Sequence, residues 1–305
     1  MTNRNPRENM EKPSSLKIWV EAARPKTLPA GVAPVLIGTS IAVSEGKWDI
    51  LSGLCALIGA VFIQVGANYA NDYFDYLKGA DSAERLGPRR VTQAGLVKPE
   101  SMRFATLWVF LFACVPGSYI VMRGGLPFVV IGLSAIFFAV VYTAGPFPLG
   151  YIGIADLFVL VYFGPVAVAG TYYLHTLRFS SDAVLAGIAS GLLSTALLTV
   201  NNLRDIEQDR AAGKKTLAVR FGASFARLEY MTCVLTATAL IPMYLFLMKN
   251  RFYLPVAALV STAYALRLVR AVLGGMSGSE LNQVLAATGK LLILFSILFS
   301  VCWLL

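Results

Sequence analysis

Asn68-Tyr69-Ala70-Asn71-Asp72-Tyr73-Phe74-Asp75-Tyr76-Leu77-Lys78-Gly79-Ala80-Asp81 follows directly on a long apolar run, Leu51–Ala67. Read as one continuous helix, the run and the polar stretch place Gln64, Asn68, Asp72 and Asp75 at steps of four, four and three. Residues three and four apart share a helix face, so an apolar helix here ends in carboxylates on one side. Clustered carboxylates repel unless a positive charge sits among them. A hard divalent cation such as Mg²⁺ takes oxygen ligands and bridges to phosphate, which makes it the natural counter-charge.

The rest of the chain sets that helix in a membrane. Of 305 residues, 57% are hydrophobic and only 14% are charged, against about 25% charged in soluble domains. The apolar residues fall in nine blocks: 28–44, 51–70, 104–122, 126–144, 152–174, 183–200, 228–248, 252–273 and 284–305. A helix of about 20 such residues spans a bilayer. The expected fold is therefore all-α and polytopic: nine transmembrane helices bundled around a cytoplasm-facing cavity. Residues 1–15 are polar and read as a flexible tail before a single domain, 16–305. Positive-inside counting sets the orientation. With the N-terminus in the cytoplasm, 20 of the 26 lysines and arginines fall in inside segments and 5 outside. That accounts for the net charge of +9 without nucleic acid. The C-terminus is then outside. The cysteines Cys55, Cys114, Cys233 and Cys302 lie within apolar blocks and read as small buried hydrophobes.

A second polar stretch, Asn201-Asn202-Leu203-Arg204-Asp205-Ile206-Glu207-Gln208-Asp209, follows the sixth block. Thr195, Thr199, Asn202, Asp205 and Asp209 step by four, three, three and four along one face. Both stretches fit Asn-(Asn/Asp)-x-x-Asp and lie four crossings apart, hence on the same side of the membrane. They imply two pseudo-repeats, about 28–144 and 152–273, with 284–305 as a last helix. Together the stretches can hold Mg²⁺ around a diphosphate: Asn68, Asp72, Asp75, Asp81, Asn202, Asp205 and Asp209 are the candidate metal ligands. Asn68, Asn71, Arg90, Asn202, Lys214 and Lys215 are candidates for the diphosphate itself, since arginine and lysine clamp phosphate oxygens.

These motifs resemble the intramembrane aromatic prenyltransferases of the UbiA superfamily, which carry Asn-Asp-x-x-Asp-x-x-x-Asp and Asp-x-x-x-Asp on helix ends four crossings apart. The second fits Asp205 and Asp209. In the first, Asp81 comes two residues late, and that variant looks like the branch that prenylates 1,4-dihydroxy-2-naphthoate. So do 85–95 and 211–220. A further signature of the superfamily, Tyr-x-x-x-Lys, appears as Tyr142 with Pro146 at the lysine position, again as in that branch. The resemblance implies an Mg²⁺-dependent transfer of a polyprenyl group from polyprenyl diphosphate to an aromatic acid in the cytoplasmic (inner) membrane. It implies catalytic roles for Asp72, Asp75, Asp205 and Asp209.

Tyr142 and the intramembrane Asp156 are candidates to face the aromatic ring, Asp156 because ionisable residues in membrane helices usually face a cavity or a partner. The lone His175 falls in an outside loop and is assigned no role. Two alternatives stay open at this point. One is another aromatic acceptor, 4-hydroxybenzoate or homogentisate. The other is a secondary transporter, although a transport site belongs near the midplane. Prenyl chain length and oligomeric state are not written in these motifs.

Overall fold

The computed structural model describes residues 14–79 and 86–305. Among them every regular element is helical. Besides short 3₁₀ turns at Pro25–Thr27 and Gly278–Glu280, thirteen α-helical segments follow in order: α1 Ser15–Ala23, α2 Pro29–Ser44, α3 Ile50–Leu77, α4 Pro99–Gly124, α5 Leu126–Val141, α6 Leu149–Ile152, α7 Ala155–Thr176, α8 Ser181–Arg204, α9 Ile206–Ala211, α10 Leu217–Phe221, α11 Ala223–Lys249, α12 Leu254–Leu273 and α13 Leu281–Leu304. Of the expected tail, residues 1–13 lie outside the described residues. Ser14 instead caps α1, its hydroxyl accepting from the Lys17 amide at 3.4 Å.

Seven of these segments are long and apolar enough to cross a bilayer: α3, α4, α7, α8, α11, α12 and Gly278–Leu304, which contains α13. The bent pair Ser15–Thr27 and Pro29–Ser44, at 54°, makes an eighth. The ninth expected span, α5, is 16 residues long, about 24 Å, and falls short of a hydrocarbon core of about 30 Å. Its apolar block extends to Ala144, but the helix ends at Val141, ahead of a turn in which Gly145 takes φ +83° next to Pro146. The chain is an integral, multi-pass membrane protein. Its apolar side chains face outward in quantity, among them Leu107, Trp108, Leu111, Phe112 and Leu259.

The bundle is built around α8, whose apolar window is 72% buried while the other spans reach at most 44%. Small residues permit that centrality. Without a hydrophobic drive between helices in lipid, close backbone approach supplies the packing. A Cβ on Gly191 would meet the Leu160 carbonyl oxygen at 2.2 Å, and one on Gly164 would meet the Gly187 oxygen at 2.7 Å. That seat receives a π-helical turn, Tyr162–Val166, that bends α7 at Pro165. In contrast, α5 buries no residue fully; its inner face borders open space.

Between α1 and α2 the chain turns sharply at Arg24, a non-glycine residue in the left-handed region (φ 53°). Asn68 on α3 holds this corner. Its amide donates to the Ala23 carbonyl at 2.8 Å and to the Thr27 hydroxyl at 3.0 Å, satisfying a carbonyl that the end of α1 would otherwise leave bare.

Candidate active site

A cavity of about 700 Å³ lies between α2, α3, α4, α5, α7 and α8. Its lining on α3 runs from Ala56 to Asp75, roughly 28 Å of helix. The walls are apolar for most of that length. The polar groups gather at one end: Asn71, Asp75, Arg90, Asn202, Asp205, Asp209 and Lys214, with Tyr142 and Tyr151 beside them. Two helix ends distant in sequence, the C-terminal turns of α3 and α8, meet there.

Three carboxylates at this end each carry a basic partner. Arg90 donates through Nη2 to Asp75 at 2.5 Å, both side chains being almost wholly buried. Arg204 grips Asp205 with two prongs, Nε to Oδ1 at 2.7 Å and Nη2 to Oδ2 at 2.5 Å. It also donates to Asn201 at 2.8 Å and to Asn282 of α13 at 3.0 Å. Lys214 lies 3.1 Å from Asp209. Partial desolvation pushes the Lys78 ammonium below its ordinary pKa, Asp75 pulls it back up, and Lys214 pushes it the same way as desolvation.

The other candidates are dispersed. Asp72 is buried but does not line the cavity. Its two oxygens accept from the backbone amides of Val91 and Thr92 at 3.2 and 3.1 Å. It therefore anchors the loop that brings Arg90 to Asp75. Asn71 lines the cavity and accepts from the Thr143 hydroxyl. Asn68 lines it too, with its amide nitrogen given to the α1 corner. Lys215 has an exposed side chain away from the cavity wall. Tyr142 borders the cavity with its ring against Gly150, where a Cβ would meet it at 3.0 Å. Asp156 is buried off the wall, its carboxylate oxygens without a hydrogen-bond partner among the described residues. Asp81 falls outside the described residues.

Two expectations need correcting. His175 is not in a loop: it lies in α7 and is 5% exposed. The Asp49 amide donates to its Nδ1 at 3.0 Å. The proton is then on Nε2, which donates to Thr39 at 3.1 Å. This is the far end of the bundle, where Arg123 also donates to the Leu174 carbonyl at 2.6 Å and Tyr119 to Asp49 at 2.8 Å. Hydrogen bonds from Ser52, side chain and backbone, pull the Asp49 carboxyl down to about 2. The second correction is Cys114, which is exposed rather than buried and borders the cavity. A cysteine inside an apolar block can face out as easily as in.

The UbiA prenyltransferase family model matches residues 31–280. The chain belongs to this family. It is 38% identical to the 1,4-dihydroxy-2-naphthoate octaprenyltransferase of Haemophilus influenzae over 298 residues, 93% of this chain and 95% of that one. It is 40% identical to the enzyme of the same name from Escherichia coli over 228 residues, covering 73% and 74% of the two chains. Its fold is similar to that of a UbiA homolog from Archaeoglobus fulgidus bound to GPP and Mg²⁺, with a TM-score of 0.69 at 17% identity over 93% of this chain and 99% of that one.

Two contributors escaped sequence reading. Arg204 is absent from the candidate set, although its place between Asn202 and Asp205 at a membrane helix end is a usable signal. Tyr151, which donates to Asp75 at 3.2 Å, lies outside both aspartate motifs.

Proposed function

We propose that this UbiA-family protein transfers a polyprenyl group from polyprenyl diphosphate to 1,4-dihydroxy-2-naphthoate, releasing diphosphate and CO₂ and giving demethylmenaquinol for menaquinone synthesis. The observation that carries the reading is one continuous cavity, apolar along its length and charged at one end. That shape suits a long apolar tail with a polyanionic head. Relatives sharing the naphthoate octaprenyltransferase name at 36–40% identity direct the choice of acceptor.

The residues fit Mg²⁺ in donor chemistry. Asp75, Asp205, Asp209, Asn71 and Asn202 offer oxygen only. Among the described residues no three acidic, histidine or cysteine side chains form a closed cage. Mg²⁺ normally takes one or two carboxylates, with substrate phosphate and water completing its shell. When bound with the diphosphate, Mg²⁺ would supply charge neutralisation on the leaving group.

The chain's own groups act around that. Asp75, Asp205 and Asp209 would share their carboxylate oxygens between their basic partners and the cations that accompany the head group. Arg90 and Lys214 would contact phosphate oxygens directly. The allylic C–O bond breaks with its electron pair leaving on diphosphate. The apolar walls, Phe138 and Phe158 among them, keep water from the allylic cation. The ring carbon bearing the carboxylate forms the new C–C bond, and CO₂ departs leaving its bonding pair to restore the aromatic ring.

The same reading takes 28–144 and 152–273 as pseudo-repeats facing each other across the cavity. It sets the charged end and the N-terminus in the cytoplasm and the C-terminus outside, in the inner membrane. The test is purified protein with Mg²⁺, labelled polyprenyl diphosphate and three acceptors. Product with 1,4-dihydroxy-2-naphthoate is expected. Product with 4-hydroxybenzoate alone, or none with any acceptor, would overturn the reading.

A further inference from the structure

Tyr151 stands where the two charged helix ends come closest to sharing a residue. Its hydroxyl donates to Asp75, in the last turn of α3, at 3.2 Å. Its backbone carbonyl accepts from the Lys215 amide, in the loop after α9, at 2.7 Å. Two ammonium groups approach its ring: Lys78 at 4.6 Å from the centroid and Lys214 at 5.0 Å. Lys78 comes from the first half of the chain and Lys214 from the second. Lys78 is tied further to the Gly145 carbonyl at 3.3 Å, and Lys214 to Asp209 at 3.1 Å.

Two like charges brought to one spot repel. An aromatic ring offsets this, because its quadrupole attracts cations within about 6 Å of the centroid. The hydroxyl gives the ring a fixed position against Asp75, so both lysines are held on one ring beside the charged end of the cavity, Lys214 on its wall and Lys78 exposed outside it. Nothing in the first or second motif calls for Tyr151 or Lys78 by itself. The geometry does: a pair of cations from opposite halves, seated on a neutral platform beside three carboxylates, is complementary to a diphosphate, whose two phosphoryl groups each need positive neighbours.

We propose that Tyr151 is a positioning residue that seats Lys78 and Lys214 as a cation pair for the diphosphate head group, and that Lys78 belongs to the diphosphate site. The proposal rests on the prenyl-diphosphate reading of this cavity. It makes Tyr151 a determinant of head-group affinity and leaves the bond-breaking step to the carboxylate end.

Full-length wild type, Tyr151→Leu, Tyr151→Phe and Tyr151→Trp are compared by calorimetric binding of inorganic diphosphate with Mg²⁺, and by KM and kcat for the polyprenyl diphosphate. Tyr151→Leu should weaken diphosphate binding and raise KM about tenfold, while kcat falls less than about threefold. Tyr151→Trp, which keeps a cation-attracting ring, should recover binding to within about threefold. Tyr151→Phe should fall between. A loss in kcat with KM and binding unchanged, or no recovery by tryptophan, overturns the proposal.

If Tyr151→Leu does not fold, Lys78→Met, Lys214→Met and the double variant decide. The lysines should be coupled in diphosphate binding, and strict additivity overturns the proposal. Absence of turnover in wild type would sink the functional reading alone, because the binding arm is read without it.

Discussion

The two aspartate motifs carry nearly the same letters and use them differently. In the second, Asp205 meets an arginine from its own helix: Arg204 is the adjacent residue, bound to Asp205, Asn201 and Asn282 and 2% exposed. That motif is assembled locally. In the first, Asp75 meets Arg90, fifteen residues on, and the contact depends on Asp72 gripping the amides of Val91 and Thr92. One aspartate of the first motif thus orders a loop so that the other can be paired. A consensus of aspartates marks a site without saying which carboxylate faces the ligand. Chain context divides the labour.

The sharpest way to break this comparison is to neutralise the cavity-facing pair. Asp75→Asn and Asp205→Asn should each reduce prenyl transfer by about 10²–10³-fold, the scale of losing one charge-stabilising group in a preorganised site. Asp205→Asn also leaves the buried Arg204 without its counter-charge, a cost of about 3–5 kcal/mol. Thermal unfolding should show it as a lower transition temperature. Equal activity of either variant and wild type would remove the metal–diphosphate site.

Asp72 gives the intermediate effect. Asp72→Ala should lower turnover about tenfold and open residues 86–97 to proteolysis, because two buried amides lose their acceptor at about 1–3 kcal/mol each. Limited digestion followed by mass spectrometry checks the second part. If Asp72→Ala is as damaging as Asp75→Asn while the loop stays protected, Asp72 acts on the ligand and the division of labour is wrong.

The smallest effect belongs to the far end of the bundle. There Asp49, Tyr119, Arg123 and His175 bond to one another and to backbone. The Asp49 carboxyl lies lower in the folded state, about 2, than its ordinary value of 3.8. Its contribution to stability is therefore complete above pH 3.8 and is lost as pH falls through about 2. The difference in unfolding temperature between wild type and Asp49→Asn should be constant from pH 7 to 5 and shrink toward pH 2. Turnover of Asp49→Asn at neutral pH should stay within about twofold of wild type. A large loss would mean that this end also serves the reaction.

Much of the architecture was legible from composition alone. Long uncharged runs leave a chain in lipid no option but helices, since every backbone polar group must be satisfied internally. The helical step places Gln64, Asn68 and Asp75 along one cavity-facing side of α3, whereas the helix of the second motif breaks at Asp205 and leaves Asp209 in α9. The span count was less legible. Periodicity does not register the Gly145–Pro146 turn that stops α5 at 16 residues, nor the left-handed Arg24 that splits the first span. His175 falls at the very edge of its apolar block yet is buried in α7: its ring finds two partners inside the bundle, and hydrogen bonding makes burial tolerable.

By itself, then, the sequence determined that this is a helical membrane protein with two acidic helix ends on one side, and its motif spacing pointed to the UbiA family. These properties depend on neighbours within one or two helical turns, where geometry is set by the backbone. Which side chains share the cavity was decided by tertiary structure alone. Asp75 with Arg90, Arg204 with Asn282, and Tyr151 between Lys78 and Lys214 are pairings across distant segments. Only the tertiary fold, which brings the ends of α3 and α8 to one end of a shared cavity, sets them within hydrogen-bonding or cation–π distance.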